Sequence, residues 1–223
     1  MSEKEEMSEF TTDLSNSYIS TLHTNIRAEV PSFRFHTLSL KGSVRLRDHS
    51  TPSKCVCSSS ADATVCLEVP SSCELFCFDN YFKTPVLAKK LEGVSRFDFV
   101  LSPKTGTEYI VLLELSNSAR KYVVPPPPDG SRDKTQPAEY KLVKAEKQFK
   151  SAIDWCQKKG ISFKKYGVKR AIFAWRDSQP EKQNTVTMKT MEFIDAAPSS
   201  VVHCIAGGFK FQVIEYPEKV QLP

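Results

Sequence analysis

The feature that most constrains this chain is a pair of apolar runs, RFDFVLSP (96–103) and EYIVLLELS (108–116), separated by KTGT with Gly106 inside it. Runs of this length joined by a short glycine-containing turn predict an antiparallel hairpin. The second run is apolar at nearly every position from Tyr109 to Leu115, whereas a strand with one wet face would alternate. It is therefore expected to be covered on both faces, at the centre of a sheet. Glu114 lies inside it, and an unpaired buried charge costs on the order of several kcal/mol.

Other elements follow from periodicity. Glu139 to Lys159 reads as one helix with Leu142, Ala145, Phe149, Ala152, Ile153 and Cys156 on one stripe and Gly160 as its stop. VKRAIFAW (168–175) and TVTMKTMEFI (185–194) read as strands, and VVHCI and FKFQVIEY pair across Ala206-Gly207-Gly208. Upstream, FRFHTLSL, SVRLR, KCVCS and ATVCLEV read as short strands of a meander. SSCELFCFDNYF, with Leu75, Phe78 and Phe82 at helical spacing, reads as a short helix ending near Pro85, and LAKKLEG as a further helical turn. Leu14, Tyr18, Leu22 and Ile26 would line one face of an N-terminal helix, while residues 1 to about 9 are too polar to offset their chain entropy and are expected to be disordered. Pro125 to Pro128 and the polar residues after them form a loop.

The expected architecture is α/β, a mixed central sheet with flanking helices. It divides into a disordered start (1–9), a strand-rich N-terminal extension (10–73) and an α/β core with C-terminal strands (74–223).

The hairpin places two carboxylates where chemistry can use them. Residues two apart on a strand share a face, so Glu114 and Ser116 point the same way, and Asp98 on the adjoining strand can point into the same pocket. Two carboxylates there repel unless a cation joins them, and a hard divalent ion with oxygen ligands could both activate water and neutralise a phosphate. The bland alternative is an ion pair to Arg96 or Lys121 at a strand end.

The order of helix, hairpin, central strand, helix and parallel strand, with Asp98 in RFDFVL and Glu114 in VLLELS, resembles the core of the PD-(D/E)XK nuclease superfamily over Glu74 to Trp175. The resemblance implies a restriction-endonuclease-like core with N-terminal elaboration. It also implies Mg²⁺ held by Asp98 and Glu114, and a lysine two residues after the glutamate that positions the attacking water. Ser116 occupies that lysine's place. Some members of the superfamily supply the lysine from elsewhere, and Lys121, Lys147 or Lys169 could serve. Lys147 is the neatest candidate, because the neighbouring Gln148 resembles a glutamine that many members carry on the helix after the motif. The expected catalytic set is thus Asp98, Glu114 and Lys147.

Charge supports a phosphate-bearing partner. The formal net charge is +5, and between Lys104 and Arg170 there are 15 Lys+Arg against 7 Asp+Glu, a local +8. Lys141, Lys144, Lys150, Lys164, Lys165, Lys169 and Arg170 are the expected contacts to a nucleic-acid backbone, DNA in the first instance. A solvated lysine-rich helix face is the plain alternative.

Two readings of function result. One is a Mg²⁺-dependent endonuclease hydrolysing phosphodiesters. The other is a catalytically inactive structural or binding subunit of a larger assembly, favoured by Ser116, the extra N-terminal strands and the proline-rich loop. The elaboration around such a core resembles accessory proteins of bacterial antiphage defence systems, an analogy of architecture.

Other chemistries find little support. The seven cysteines include five between Cys55 and Cys77 without any C-x-x-C pair, so small buried hydrophobes in a reducing cytoplasm are expected rather than zinc or a disulfide framework. The four histidines lie in no ligand set. There is neither a G-x-S-x-G elbow nor a G-x-x-x-x-G-K-[ST] phosphate loop. Phe97, Phe99, Tyr81 and Phe82 could stack on bases, but core packing is the expected reading. No apolar run approaches the length of about 20 residues that a membrane span needs, so a protein without membrane contact is expected.

Overall fold

The computed structural model describes residues 7–19, 32–49, 52–84, 95–124, 137–178 and 203–223. In chain order the elements are helix α1 (Glu9–Leu14), strand β1 (Thr37–Leu46), the single turn α2 (Pro52–Cys55), β2 (Val65–Cys77) and α3 (Phe78–Phe82). Then come β3 (Phe99–Pro103), β4 (Tyr109–Asn117), α4 (Lys141–Lys158), β5 (Val168–Arg176), β6 (His203–Cys204), β7 (Lys210–Glu215) and β8 (Lys219–Gln221). Among the described residues eight strands form one mixed sheet in the order β1-β2-β3-β4-β5-β7-β6, with β8 pairing β2. The β4–β5 and β5–β7 pairs are parallel and the β3–β4 hairpin is antiparallel, so the chain is α/β with α4 as the crossover from β4 to β5.

The expected centre of the sheet is found. β4 lies between β3 and β5, and every residue from Tyr109 to Leu113 is buried. Its two faces feed two cores. Ile110 and Leu112 join Val100, Phe149, Ala152 and Ile153 beneath α4. Tyr109, Val111, Leu113 and Leu115 join apolar residues of β1, β2, β7 and β8. The second core is enclosed because β2 has partners on both edges. β8 pairs with its first half at Cys66 to Glu68, and β3 with its second half from Cys73 to Cys77.

The helix expected over 139–159 spans Lys141 to Lys158 and ends in a Schellman motif. Gly160 takes φ 81°, its amide donates to Gln157 O at 3.0 Å, and Ile161 N donates to Cys156 O at 2.9 Å.

Several expectations are corrected. SSCELFC is strand rather than helix: β2 runs through the boundary expected at Glu74, pairs with both β1 and β3, and only Phe78 to Phe82 are helical. Cys73, Leu75 and Cys77 pack into one core and Phe76 into the other, as the two faces of a strand do, and sheet pairing overrode the helical spacing. FRFHTLSL and SVRLR merge into the single strand β1, preceded by a 3-10 turn at Phe33–Phe35, and KCVCS contributes the turn α2. The N-terminal helix begins earlier than its spacing suggested, and Ser8 and Glu9 are ordered. Ser8 caps α1 and is buried, and both its Oγ (2.6 Å) and that of Thr11 (2.7 Å) donate to Glu74 Oε1. Strand β8 was not anticipated. The LAKKLEG turn, Pro125 to Pro128, TVTMKTMEFI, Leu22 and Ile26 lie outside the described residues.

Candidate metal and phosphate site

The site forms at the end of the β3–β4 hairpin. The β3–β4 register pairs Phe99 with Leu113 and Val100 with Leu112. Continued by one residue it sets Asp98 opposite Glu114, on the face that α4 covers. Asp98 Oδ2 accepts from Leu115 N at 2.8 Å, and its main-chain oxygen accepts from Phe78 N at 2.8 Å, so strand and α3 together fix its position. On Glu114, Oε2 is buried and has no hydrogen-bond partner among the described residues.

Both carboxyls hold their protons unusually tightly. Burial pushes the Asp98 carboxyl up to about 7, with the charges of Asp48 and Asp79 adding to the effect. Burial likewise pushes Glu114 up to about 9, with Asp98 next in importance and the side-chain hydrogen bond from Gln148 opposing. The ion pair offered as the bland alternative does not form. Arg96 Nε binds Asp79 Oδ1 at 3.0 Å, and Lys121 lies over the Tyr122 ring.

The two carboxylates open into a cleft of about 410 Å³, whose charged lining consists of Asp48, Asp79, Asp98 and Glu114 against Lys83, Arg96, Lys141 and Lys144. Sequence reasoning missed Asp48, Asp79 and Lys83 because they arrive from the β1–α2 connection and from α3 and its C-terminal end. Gln148 also lines the cleft, and its Nε2 donates to Arg96 O at 2.6 Å.

The lysine expectation needs correction. Lys147 does not line the cleft: its side chain is 68% exposed and its ammonium is paired with Glu139. Instead Lys141, the first residue of α4, donates from Nζ to Ser116 Oγ at 3.0 Å. An ammonium thus reaches the strand position that a serine occupies. No acid stands in the first turn of α4, and no side chain caps it. Lys141 and Lys144 therefore add positive charge where the helix dipole is already positive, an arrangement that disfavours the bare helix and favours a nearby anion.

The remaining basic candidates do not gather here. Lys150 pairs with Glu146, and Lys165 with Glu9 and Asp13. Arg170 donates to Gln221 O and to the Gln212 side chain. Lys169 and Arg170 pair in register with Ile110 and Val111, while Glu114 pairs with Phe173. At about 3.3 Å per residue, that places Lys169 roughly 13 Å down the strand from the acidic pair. Lys164 is exposed, in the turn just ahead of β5. Of the seven backbone contacts expected, Lys141 and Lys144 line the cleft.

Phe97, Phe99, Tyr81 and Phe82 are buried core. None of the seven cysteines is in a disulfide, and Cys55, Cys66, Cys73 and Cys77 are buried. Among the described residues no three His, Cys, Asp or Glu side chains lie close enough to hold a metal together. The donor set that could is a carboxylate pair, with water completing the shell as Mg²⁺ commonly requires. The orphaned buried oxygen of Glu114 fits such an ion, which would supply it with a partner.

Comparison of the chain with protein-family models, curated proteins and solved structures gave no significant match. Among the described residues no helix is long and apolar enough to cross a membrane.

Proposed function

We propose that this protein is a metal-dependent phosphodiesterase acting on nucleic acid, with Asp98 and Glu114 as ligands of a divalent ion such as Mg²⁺ and Lys141 in place of the missing strand lysine. The observation that carries this reading is the pairing of two half-buried, opposed carboxylates, one with a buried oxygen that lacks a partner among the described residues, with an ammonium delivered to Ser116 from α4. A hard divalent ion bound there would lower the pKa of its water and offset phosphate charge.

The chain's own residues supply the rest. The amide of Leu115 fixes Asp98 before anything binds, and Gln148, anchored to the Arg96 carbonyl, lines the cleft beside Glu114. Lys141, held on Ser116, places positive charge where an attacking water or a phosphate oxygen would gain it. Four acids and four bases line the cleft, which makes it formally neutral. A bound dication would leave two positive charges, matching the two negative charges of a diester's transition state.

Purified protein incubated with DNA or RNA and Mg²⁺ or Mn²⁺ should cut it, with Glu114→Gln losing both cleavage and Mn²⁺ binding by calorimetry while still folding. If the wild-type chain binds no divalent ion, the reading as an inactive binding or structural subunit takes its place.

A further inference from the structure

The charged wall facing Lys141 contains an arginine fixed at both of its ends. Arg96 lies two residues before Asp98 and lines the same cleft. Its main-chain carbonyl is held by Gln148 Nε2 at 2.6 Å and its Nε by Asp79 Oδ1 at 3.0 Å. Asp79 is itself anchored in the first turn of α3, where it also carries the ammonium of Lys83. With Nε committed, the two terminal amino groups of Arg96 have no partner among the described residues, and the side chain is 19% exposed. A guanidinium presents paired donors in one plane, matching two oxygens of a phosphate, and one whose position is already set loses little freedom on binding.

We infer that Arg96 is the phosphate-gripping residue of this cleft, binding the non-bridging oxygens of a nucleic-acid phosphodiester, and that Asp79 is the positioning residue that aims it. The inference rests on the proposed phosphodiesterase reading and adds the anchor for the substrate backbone. Asp79 carries two cations, so Asp79, Arg96 and Lys83 together keep one net positive charge beside the acidic pair. Neutralising Asp79 removes an acceptor that sets direction, whereas removing the guanidinium removes the contact itself.

The test separates anchor from metal site. Anisotropy of a short fluorescein-labelled DNA single strand, measured in Ca²⁺ so that nothing turns over, should show Arg96→Ala binding about 10- to 100-fold more weakly, the loss expected for one charge-assisted contact. Arg96→Lys should fall in between, and Asp79→Asn should weaken binding less than Arg96→Ala. Free guanidinium ion at millimolar concentration should restore part of the binding of Arg96→Ala, an effect that lost packing would not show. Mn²⁺ affinity should be unchanged in Arg96→Ala, with thermal melts confirming that each variant folds.

Equal binding by Arg96→Ala and wild type, or binding by Arg96→Ala that guanidinium does not improve, overturns the assignment. So does a wild-type chain that ignores the strand. In each case the Mn²⁺ titration reports separately whether the carboxylate pair still holds an ion.

Discussion

The ammonium of Lys141 lies 3.0 Å from Ser116 Oγ, across 25 residues of sequence. A positive group therefore stands where the strand itself carries a hydroxyl, and the two positions should be exchangeable. Lys141→Met is expected to lower kcat by about 10²- to 10³-fold, as loss of one preorganised donor does. The double variant Lys141→Met/Ser116→Lys should recover at least a tenth of the lost rate. Single-turnover cleavage of a labelled strand checks both, and no recovery would mean that the ammonium acts from the helix side alone.

Burial of the acidic pair predicts a pH-dependent stability. Both carboxyls sit above their ordinary values, at about 7 for Asp98 and about 9 for Glu114, so the folded state holds their protons more tightly than the unfolded chain does. Their stabilising contribution is whole below about pH 4 and is lost as pH rises through those two values. In EDTA the melting temperature should fall across this window. Glu114→Gln should melt above wild type at pH 8, by roughly 2–4 °C for each kcal/mol recovered. A variant less stable than wild type at pH 8 would contradict the account.

The same protons should leave when metal enters. Both carboxyls are raised, so near neutral pH an ion needing both as carboxylates displaces up to two protons. Calorimetry of Mn²⁺ binding in buffers of different ionisation enthalpy measures that number directly. Apparent affinity should climb with pH between 6 and 9, and an affinity independent of pH would place the ion elsewhere.

Away from the cleft, the Ser8–Glu74 contact should hold α1 to the sheet. Ser8→Ala removes both the helix cap and a 2.6 Å bond to a buried carboxylate, a change costing about 1–3 kcal/mol. Urea denaturation of Ser8→Ala, Glu74→Ala and the double variant should show non-additivity, because Ser8, Thr11 and Glu74 share one buried hydrogen-bond network.

The hairpin, the doubly buried β4 and the Asp98–Glu114 pair were legible because period-two geometry is local: two runs, one short turn and a fixed face parity determine them. The lysine was not, since the face of α4 that meets the strand depends on how the helix docks. A wheel at about 100° per residue does contain the clue. Lys141, Lys144 and Gln148 fall within a single arc of about 60°, and Lys147 lies about 120° from Lys141. Placing Gln148 at the site should therefore have selected Lys141 and Lys144. β2 was misread at Ser71 to Cys77 because Leu75, Phe78 and Phe82 mimic a helical stripe, whereas pairing with distant strands decides the outcome. β8, only three residues long, gains its identity from that same strand.

The β2–β8 contact bears on how this molecule is made. Lys219 meets Glu68 across 151 residues, so while the chain leaves the ribosome the stretch Cys66 to Glu68 has a bare edge until residues 219 to 221 emerge. Closure of the second core thus waits on residues 219 to 221, and a nascent chain stalled before residue 219 would present that edge to chaperones or to other copies of itself.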